Sequence, residues 1–381
     1  MNVYFRTAAG ILGTILFLFL YCLTGCEVPG KPDRTAVKDT GDLRILTWNV
    51  QTLFDGDEAG NEYDEYRGAA GWTEEKYKAR LHSLAQAINR MSEQAPDILG
   101  LMEIENPRVL DDLIRGPLAK KGYNWNFFGK TPQGPLGIGI LSRFPFEQTL
   151  IHSITRNGET APRPLLEAHL RVQDKALAFF VCHWKSKLGG DDATEPLRKA
   201  EARILLRRLK DLKQTHPDLP VIIMGDLNEN HDEFYRREGS VICALLPDDP
   251  HAAERAGFTQ AMSSSSSPKG MQTDFLILSR KKPPEPEYFA QEALVLYSPW
   301  TGELAGGSYN HKNAWETIDH FLLSGALFDR IGWDFDSCKV IQQEPFITGN
   351  GYPSGYNSRT GNGLSDHLPL LLTLKDAGPE M

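Results

Sequence analysis

The amino-acid sequence predicts a strand-rich α/β fold. Apolar runs of strand length recur along the chain, and several are nearly continuous, as expected for strands that are buried on both faces. Two longer stretches instead show the spacing of amphipathic helices. The composition fits a folded protein, because 41% of the 381 residues are hydrophobic and 24% are charged. These values exclude a wholly disordered chain, a collagen-like repeat and a protein with many membrane spans.

The strands are predicted from runs of aliphatic and aromatic residues that end at polar residues. These runs are Leu43–Val50, Ile98–Ile104, Ile138–Ser142, Leu165–Val172, Ala176–Trp184, Val221–Met224, Ile318–Leu323 and Leu368–Leu374. The first predicted helix is Glu74–Met91, with Thr73 as its N-cap. The second is Pro196–Lys213, with Pro196 in its first turn. We interpret the apolar stripes of both helices as core packing.

Residues 1–25 are predicted to be a lipoprotein signal peptide. Arg6 precedes an uncharged stretch, residues 7–25, whose centre is mostly Leu, Ile and Phe, which is the arrangement of a secretory leader. The tetrapeptide Leu-Thr-Gly-Cys that ends at Cys26 resembles the lipobox of bacterial lipoproteins, which implies lipidation of Cys26. The alternative is an uncleaved single-span anchor, because the uncharged stretch is just long enough to cross a bilayer.

A tether is predicted between this leader and the folded body. Residues 26–42 contain Pro29 and Pro32, mixed charge and no apolar period, which is typical of a linker. Both interpretations of the leader place the body outside the cytoplasm. The lipoprotein interpretation anchors an exported protein to a bacterial membrane, in the periplasm or at the cell surface. We expect the protein to be a monomer.

Polar and charged side chains stand at the ends of six of the apolar segments. They are Asn49; Glu103, Glu105 and Asn106; His183, Lys185 and Lys187; Asp226 and Asn228; Asp319 and His320; and Asp366 and His367. Any one of them is ordinarily a turn former or a helix cap. Six segments with the same chemical theme instead predict that these groups converge in one cleft at the rim of a sheet.

The predicted cleft has a defined chemistry. Carboxylate, amide and water oxygens suit Mg²⁺, Mn²⁺ or Ca²⁺, whereas zinc prefers more histidine and cysteine than these segments offer. A hard cation beside two histidines and an asparagine suits the attack of water on a phosphorus ester. Asparagine and histidine donors stabilise phosphoryl oxygens, and a histidine paired with an aspartate accepts the proton of the attacking water.

These segments resemble the endonuclease/exonuclease/phosphatase superfamily, which includes deoxyribonuclease I, abasic-site endonucleases, neutral sphingomyelinases and inositol polyphosphate 5-phosphatases. The most specific motifs are Gly225-Asp226-Leu227-Asn228 and Ser365-Asp366-His367-Leu368-Pro369. The resemblance covers residues 43–376 and implies one domain, a four-layer α/β/β/α sandwich with two central mixed sheets. The other matching residues, in the family's order, are Asn49, Glu103, His183 and Asp319.

The resemblance also implies a metal site and its cofactor, Mg²⁺, with Mn²⁺ or Ca²⁺ as alternatives. Glu103 resembles the principal metal ligand, and Asn49 and Asp366 are placed near the ion. Two cations, Arg163 and Lys185, are further candidates for phosphate contacts. For each of them, a solvated surface side chain is the alternative interpretation.

The catalytic residues are likewise implied by the resemblance. Asp226 works on the side of the nucleophile, and Asn228 holds a phosphate oxygen. His367 matches the histidine of the family's Ser-Asp-His motif, and Asp319 resembles the carboxylate that orients it. The base is left open between His367 and Asp226. His183 resembles the second histidine, which binds phosphate or protonates the leaving oxygen.

The substrate is the least determined part of the prediction. A nuclease-like phosphodiesterase is favoured by the breadth of the family, which is an analogy, although no long basic helix marks a groove for duplex DNA. A sphingomyelinase-like phospholipid hydrolase is an alternative. An inositol phosphatase is disfavoured, because the segment Asn313–Asp319, which resembles the motif of that group, lacks its Cys-Asp-Arg triplet. A non-catalytic surface lipoprotein for adhesion is an alternative of another class, although every matched catalytic position holds a competent residue. The net charge of −9 excludes a non-specific nucleic-acid coat protein.

Overall fold

The computed structural model describes residues 41–91, 94–132, 134–156, 158–161, 163–258, 273–291 and 293–378. The predicted signal peptide, Cys26 and most of the predicted tether lie outside the described residues. Within the described part of the chain, no helix combines the length and the apolar character that a membrane span requires.

The elements of the described chain are mostly strands. The strands are β1 (Asp42–Leu53), β2 (Ile98–Ile104), β3 (Trp125–Gly129), β4 (Gly137–Ser142), β5 (Phe146–His152), β6 (Thr155–Arg156), β7 (Glu159–Thr160), β8 (Leu165–Val172), β9 (Lys175–His183), β10 (Val221–Asp226), β11 (Leu245–Pro247), β12 (Leu276–Ser279), β13 (Val295–Tyr297), β14 (Tyr309–His311), β15 (Ala314–Glu316), β16 (Asp319–Leu323), β17 (Gly332–Val340) and β18 (Leu370–Gly378). The α-helices are α1 (Glu74–Arg90), α2 (Pro107–Arg115), α3 (Asp191–Thr215), α4 (Glu233–Arg236) and α5 (Pro250–Arg255). Short 3₁₀ helices cover Asp64–Tyr66, Gly68–Ala70, Ala119–Lys121, Pro299–Thr301 and Gly325–Leu327.

The strands of the described residues form two large mixed sheets. The first sheet has the order β17-β18-β1-β2-β4-β3, and the second has the order β11-β12-β13-β16-β10-β9-β8-β5. Two hairpins, β6-β7 and β14-β15, are separate. In the first sheet β1 pairs in parallel with β2, and in the second β9 pairs in parallel with β10. Each parallel pair therefore ends its two strands at the same edge of its sheet.

The two sheets pack face to face over an apolar core. Along β10, Ile222 and Met224 lie in the cluster between the sheets. Val221 and Ile223 alternate with them and lie in the cluster beneath α3, together with Leu205. Because successive side chains of a strand point to opposite faces, a strand buried on both sides needs an unbroken apolar run. This packing explains the continuous runs in the sequence.

The outer face of the first sheet is covered by helices in the same way. Ile45 of β1 lies between the sheets, whereas Leu46 and Trp48 pack with Tyr77 and Leu81 of α1. The layers are therefore helices, first sheet, second sheet and α3. The structure confirms the predicted α/β class and the four-layer sandwich with two mixed sheets.

Both predicted helices are present, but one of them begins at a different residue. The side chain of Thr73 accepts a hydrogen bond from the Lys76 N–H group, which confirms Thr73 as the N-cap of α1. The start predicted for the second helix is wrong, because α3 begins at Asp191 and Pro196 lies inside it. Acidic side chains in the first turn of α3 favour the earlier start, because they lie at the positive end of the helix dipole.

A buried ion cluster fastens α3 to the second sheet. The carboxylate of Glu167, on β8, is fully buried and accepts hydrogen bonds from His152 Nε2 at 2.7 Å and His169 Nε2 at 2.6 Å. Arg208 of α3 donates to both of its oxygens, at 2.7 and 2.8 Å. Burial alone would raise the pKa of Glu167, but these hydrogen bonds outweigh it and hold the pKa below its usual range.

The variant Glu167→Gln is expected to lower the free energy of unfolding by about 3 kcal/mol at pH 7, because it leaves Arg208 without its charged partner. Since the pKa of Glu167 is lowered by folding, its stabilisation is present above about pH 4.5 and is lost as the pH falls below that value. Urea unfolding of the parent protein and of Glu167→Gln measures the difference in the free energy of unfolding. The measurements run from about pH 3 to about pH 8, on either side of the ordinary glutamate pKa.

The matched control is Glu147→Gln, which removes an exposed carboxylate that pairs with Arg171 at the edge of the same sheet. This variant is expected to change the free energy of unfolding by less than about 1 kcal/mol. Equal losses in the two variants, or a Glu167→Gln loss that does not shrink at acid pH, would contradict the assignment.

Candidate active site

Strand ends from both sheets meet at one rim of the sandwich. Asn49 and Glu103 lie near the carboxyl ends of β1 and β2 in the first sheet. His183 and Asp226 end β9 and β10 in the second sheet, where they are register partners. Asp319 begins β16 and pairs in register with Asp226. The structure thus brings together residues that are far apart in the sequence, as the pattern of strand ends predicts.

The segment before β18 is fastened to the end of β1. The hydroxyl of Ser365 donates to the Asn49 carbonyl at 2.6 Å and accepts from the His367 N–H group at 3.0 Å. The indole of Trp48 donates to the His367 carbonyl at 2.9 Å. These bonds hold Asp366 and His367 beside Asn49, at the same rim as the other predicted site residues.

The side-chain amide of Asn49 joins the two sheets. Its nitrogen donates to Glu103 Oε1 at 3.3 Å and to Asp226 Oδ2 at 3.1 Å. Glu103 belongs to the first sheet and Asp226 to the second. One amide therefore sets the separation of two carboxylates that belong to different layers.

Glu103 presents a carboxylate to the cleft from a strained backbone. Its φ angle is 65°, in the left-handed region, which costs roughly 1–3 kcal/mol for a residue with a side chain. The Thr52 N–H group donates to Glu103 Oε2 at 2.7 Å, and 19% of the side chain is exposed. The second oxygen, Oε1, lies 3.9 Å from His183 Nε2. Such strain is typical of functional sites, where the surroundings fix an unfavourable conformation.

Asp319, His367 and Asp226 form a line of polar contacts. His367 Nδ1 lies 2.8 Å from Asp319 Oδ2, and His367 Nε2 lies 3.9 Å from Asp226 Oδ2. Burial would lower the pKa of His367, but Asp319, and then Asp226 and Asp366, outweigh it and raise the pKa well above its usual value. Burial raises the pKa of Asp226, although His367 opposes this effect. Because these two atoms are 3.9 Å apart, the charge of each group changes the pKa of the other.

His183 has the opposite electrostatic environment. Its Nε2 atom lies 3.5 Å from Asp226 Oδ2. Burial, and then the positive charges of Arg163 and His367, lower its pKa well below the usual value. His183 is therefore neutral near pH 7, and of its two ring nitrogens Nε2 is the one that lies beside Glu103 and Asp226.

Asn228 is held by the turn that follows β10. Its N–H group donates to Asp226 Oδ1 at 2.9 Å, and its side-chain nitrogen donates to the Trp184 carbonyl at 3.1 Å. Gly225 precedes this turn with φ at 138°, where a Cβ atom would collide with the Cys182 carbonyl oxygen. A glycine is therefore required at this position so that Asp226 and Asn228 reach the cleft.

The two predicted phosphate-binding cations differ in their placement. The guanidinium of Arg163 lies 3.5 Å from the Trp184 carbonyl oxygen, and its positive charge lowers the pKa of His183. The ammonium of Lys185 instead donates to the Ser186 carbonyl at 2.9 Å and to the Leu188 carbonyl at 3.2 Å. The structure therefore places Arg163 at the rim of the site and engages Lys185 with its own loop.

Two groups of side chains are possible metal ligands, and their chemistry separates them. Among the described residues, ligand atoms of Asp226, Asp319 and His367 all lie within 4.8 Å of one another. However, Asp319 Oδ2 and His367 Nδ1 are hydrogen-bonded to each other, so this pair already shares a proton. These three residues are better suited to holding a proton than a metal ion.

The predicted ligands Glu103, Asp366 and Asn49 fit a hard cation better. Their donors are two carboxylates and an amide oxygen, which are the preferred ligands of Mg²⁺, Mn²⁺ and Ca²⁺. Burial raises the pKa of Asp366, and the nearby charge of Glu103 raises it further. A divalent cation between the two carboxylates would relieve this repulsion.

Two open features border the cleft. On one side is a cavity of about 480 Å³, lined by residues that include Gln51, Thr52, Tyr66, Tyr356 and Arg359. On the other side, the ring of Tyr309 in β14 packs against the ring of His367, with centroids 4.6 Å apart. The exposed ring of His311 stacks beside Tyr309 at 6.4 Å with an interplanar angle of 15°.

Sequence reasoning missed three residues that shape this site, namely Gln51, Thr52 and Tyr309. Gln51 and Thr52 come two and three residues after Asn49, but polar residues after a predicted strand do not indicate that the backbone turns into the left-handed region. Tyr309 forms a backbone bridge with His367. The short β14-β15 hairpin gives only a weak sequence signal, because three-residue strands show little alternation.

Comparison with known proteins identifies similar sequences and folds. A family model described as "Endonuclease/Exonuclease/phosphatase family" matches residues 44–251, and no curated protein sequence matches the chain. A structure of D. rerio TDP2, humanized by 14 mutations, aligns at 16% identity with a TM-score of 0.51. The alignment covers 88% of this chain and 100% of that chain. At this identity the likeness shows a shared fold alone.

Two further structures are similar. D. rerio TDP2 complexed with a single-strand DNA product aligns at 17% identity with a TM-score of 0.49, over 88% of this chain and 99% of that chain. A Bacteroides thetaiotaomicron protein of the endonuclease/exonuclease/phosphatase family aligns at 16% identity with a TM-score of 0.49. That alignment covers 87% of this chain and 94% of that chain.

The variant Gly225→Ala is expected to lower the free energy of unfolding by at least about 2 kcal/mol, because the added methyl group meets the backbone of β9 at an unfavourable φ angle. The matched control is Gly325→Ala, since a Cβ atom at Gly325 meets no atom within 4 Å. Chemical denaturation measures both. Equal stability of the two variants would show that the turn tolerates a side chain.

Proposed function

This chain belongs to the endonuclease/exonuclease/phosphatase family, and we propose that it is a divalent-cation-dependent phosphodiesterase that cleaves nucleic acid outside the cytoplasm. Members of this family hydrolyse phosphoester bonds. The observation that carries the proposal is the contact line from Asp319 through His367 to Asp226, which lies beside the carboxylate of Glu103. A proton-accepting pair next to a cluster of hard ligands is the arrangement that metal-assisted hydrolysis requires.

The metal site is proposed to consist of Glu103, Asp366 and the side-chain oxygen of Asn49. When bound, a divalent cation supplies charge neutralisation for the phosphoryl group. Asn49 also donates to the carboxylates of Glu103 and Asp226, so it holds the ligands in place. Glu103 and Asp366 offer carboxylate oxygens, and Asn49 offers an amide oxygen that also accepts from the Gln51 N–H group at 3.0 Å.

The proton of the attacking water is proposed to pass to the pair formed by His367 and Asp226. Asp319 accepts from His367 Nδ1, so the imidazole turns its Nε2 atom toward Asp226. Asp319 thereby fixes the ring orientation and stabilises a charged imidazolium. The two groups share the task, because neither of their pKa values is independent of the other.

The phosphoryl oxygens are proposed to be held by Asn228 and His183. One N–H of the Asn228 amide is used by the Trp184 carbonyl, and within the described residues the second N–H has no other partner. The neutral His183 ring lies between Glu103 and Asp226. Fixed donors of this kind stabilise the charge that develops in the transition state. Arg163 at the rim adds positive charge.

A nucleic-acid substrate is supported by the flat rings that extend from the catalytic histidine. Tyr309 packs on His367, and the exposed ring of His311 continues the row. His311 is exposed, and its partner in the hairpin, Ala314, has a small side chain. Nucleobases stack on such rings with about 1–3 kcal/mol per base, whereas a phospholipid headgroup has no flat ring to stack.

Location outside the cytoplasm is proposed on the leader sequence. Arg6, the uncharged stretch 7–25 and the Leu-Thr-Gly-Cys tetrapeptide support export, lipidation of Cys26 and anchoring to a bacterial membrane. Residues 26–42 would then hold the enzyme at up to roughly 50 Å from the bilayer. The protein is proposed to act as a monomer.

Purified protein without the leader is expected to hydrolyse a phosphodiester substrate with Mg²⁺ or Mn²⁺ and to lose this activity in EDTA. Glu103→Gln is expected to lower kcat by about 100-fold or more, because it removes a metal ligand. His367→Ala is expected to lower kcat by about 10²–10⁴-fold, because it removes half of the proton-accepting pair. Glu147→Gln, far from the site, is the control with unchanged activity.

The substrate class is tested with single-stranded DNA, duplex DNA, RNA, sphingomyelin and inositol phosphates. The proposal expects single-stranded nucleic acid to give the highest kcat/KM. Faster turnover of sphingomyelin or an inositol phosphate would contradict the nucleic-acid substrate but would still support a phosphoester hydrolase. Absence of cation-dependent hydrolysis of every substrate would instead support a non-catalytic surface protein.

Anchoring is tested by the variant Cys26→Ser in the full-length chain expressed in a bacterial host. Loss of the thiol removes the site of lipid attachment. The variant is therefore expected to lack both the mass of the lipid and the cleavage between residues 25 and 26. Mass spectrometry of the N-terminal peptide measures both changes. An unmodified Cys26 in the parent protein would contradict the lipoprotein proposal.

A further inference from the structure

A buried cation lies behind the metal-side residues without joining them. Arg80, on α1, is only 2% exposed. Its Nη2 atom donates to the carbonyl oxygens of both Val50 and Gln51, at the end of β1. Its guanidinium carbon lies 3.4 Å from the centroid of the Tyr356 ring, so the cation is held between this ring and the backbone of β1.

The backbone that Arg80 contacts is strained. Gln51 and Thr52 have φ angles of 55° and 48°, and two consecutive residues with side chains rarely adopt the left-handed region. Such a conformation costs roughly 1–3 kcal/mol per residue unless its surroundings enforce it. The guanidinium spans the carbonyl groups at the start of this turn and is placed to enforce it.

The strained turn at Gln51 and Thr52 directly contacts Glu103, the proposed principal metal ligand. Because Thr52 is in the left-handed region, its N–H group points back to the sheet and donates to Glu103 Oε2 at 2.7 Å. This hydrogen bond fixes the rotation of the carboxylate and leaves Oε1 toward Asn49 and His183.

The side chain of the same turn also holds the second carboxylate. Gln51 Oε1 accepts from the Asp366 N–H group at 3.0 Å and from the Tyr356 N–H group at 2.7 Å. The Gln51 amide nitrogen donates to the Tyr356 carbonyl at 3.3 Å. Gln51 therefore holds Asp366 and Tyr356, while the next residue, Thr52, holds Glu103.

We propose that Arg80 is a positioning residue for the divalent-cation site: by fixing the left-handed turn at Gln51 and Thr52, it sets the separation of Glu103 and Asp366. The inference rests on the proposed function, since it assigns the metal to these carboxylates. Arg80 touches neither carboxylate by hydrogen bond or ion pair within the described residues. It acts through the backbone and through the Gln51 side chain.

A purely structural role explains Arg80 less well. Within the described residues its Nε and Nη1 atoms have no hydrogen-bond partner, and burial lowers its pKa, although nearby tyrosines oppose this effect. A buried guanidinium with unpaired donors destabilises the fold relative to an apolar side chain of similar size. The geometry is explained if the Nη2 atom is needed to hold two adjacent carbonyl groups. The planar guanidinium fixes this atom by packing on the Tyr356 ring, which a flexible lysine ammonium does less precisely.

The test compares Arg80→Gln and Arg80→Lys with the parent protein in direct Mn²⁺ binding by titration calorimetry, which needs no turnover. Arg80→Gln is expected to raise the Kd for Mn²⁺ by about 10- to 100-fold, the usual effect of removing a group that orients metal ligands. Arg80→Lys keeps the charge and is expected to fall between the two. In hydrolysis assays, excess Mn²⁺ is expected to restore much of the kcat of Arg80→Lys.

The matched control is Arg143→Gln. Arg143 is another arginine with little exposure, since only 9% of its side chain is exposed. Its guanidinium lies 5.3 Å from the Tyr123 ring centroid and donates to Asp97 at 2.7 Å. Asp97 precedes β2, at the end opposite Glu103. Arg143→Gln is expected to lower the free energy of unfolding while leaving the Kd for Mn²⁺ unchanged.

Parent-like Mn²⁺ affinity in a folded Arg80→Gln or Arg80→Lys would overturn the inference. So would an equal loss of affinity in Arg143→Gln, because the effect would then follow general stability. If Arg80→Gln does not fold, Arg80→Lys decides the question. If the parent protein binds Mn²⁺ but hydrolyses no phosphoester, the proposed function fails while the calorimetry still decides the role of Arg80.

Discussion

The arrangement of the whole site depends on the hydrogen bonds that the Asn49 amide makes across the interface of the two sheets. Apolar packing holds the sheets together, but it is not directional and tolerates small sliding movements. The Asn49 nitrogen is directional, because it donates to Glu103 in one sheet and to Asp226 in the other. Glu103 lies in the first sheet, and Asp366 and His367 lead into β18 of that sheet, whereas Asp226 ends a strand of the second sheet. This one side chain therefore relates the site residues of the two layers.

The rim is built from groups that an apolar core would exclude. Asp226, Asp319 and His367 are buried, which is costly for charged groups unless they are paired. Their mutual contacts offset part of that cost, and the left-handed Glu103 and the turn at Thr52 add strain. The continuous apolar strands behind them supply the stability that allows this rim to persist. Division of the chain into a robust core and a strained edge is the usual condition of an enzyme.

The sequence predicted the centre of the fold better than its edges. Runs such as Val221–Met224 are apolar throughout because both faces are buried, and they fall inside observed strands. Edge strands β3, β5 and β17 were missed because their partly exposed faces carry polar residues. The motif residues converge as expected, since they end central strands. Arg80 and the turn at Gln51 could not be inferred, because their importance lies in backbone angles and in contacts between distant segments.

The position of β18 has a consequence for how the protein becomes active. Although β18 is late in the chain, it is an interior strand of the first sheet, between the edge strand β17 and β1. The segment with Asp366 and His367 directly precedes it. A nascent polypeptide that has not reached residue 366 therefore lacks an interior strand of the first sheet and two of the proposed site residues, Asp366 and His367. Both the sheet and the proposed site are completed only after β18 has been synthesised.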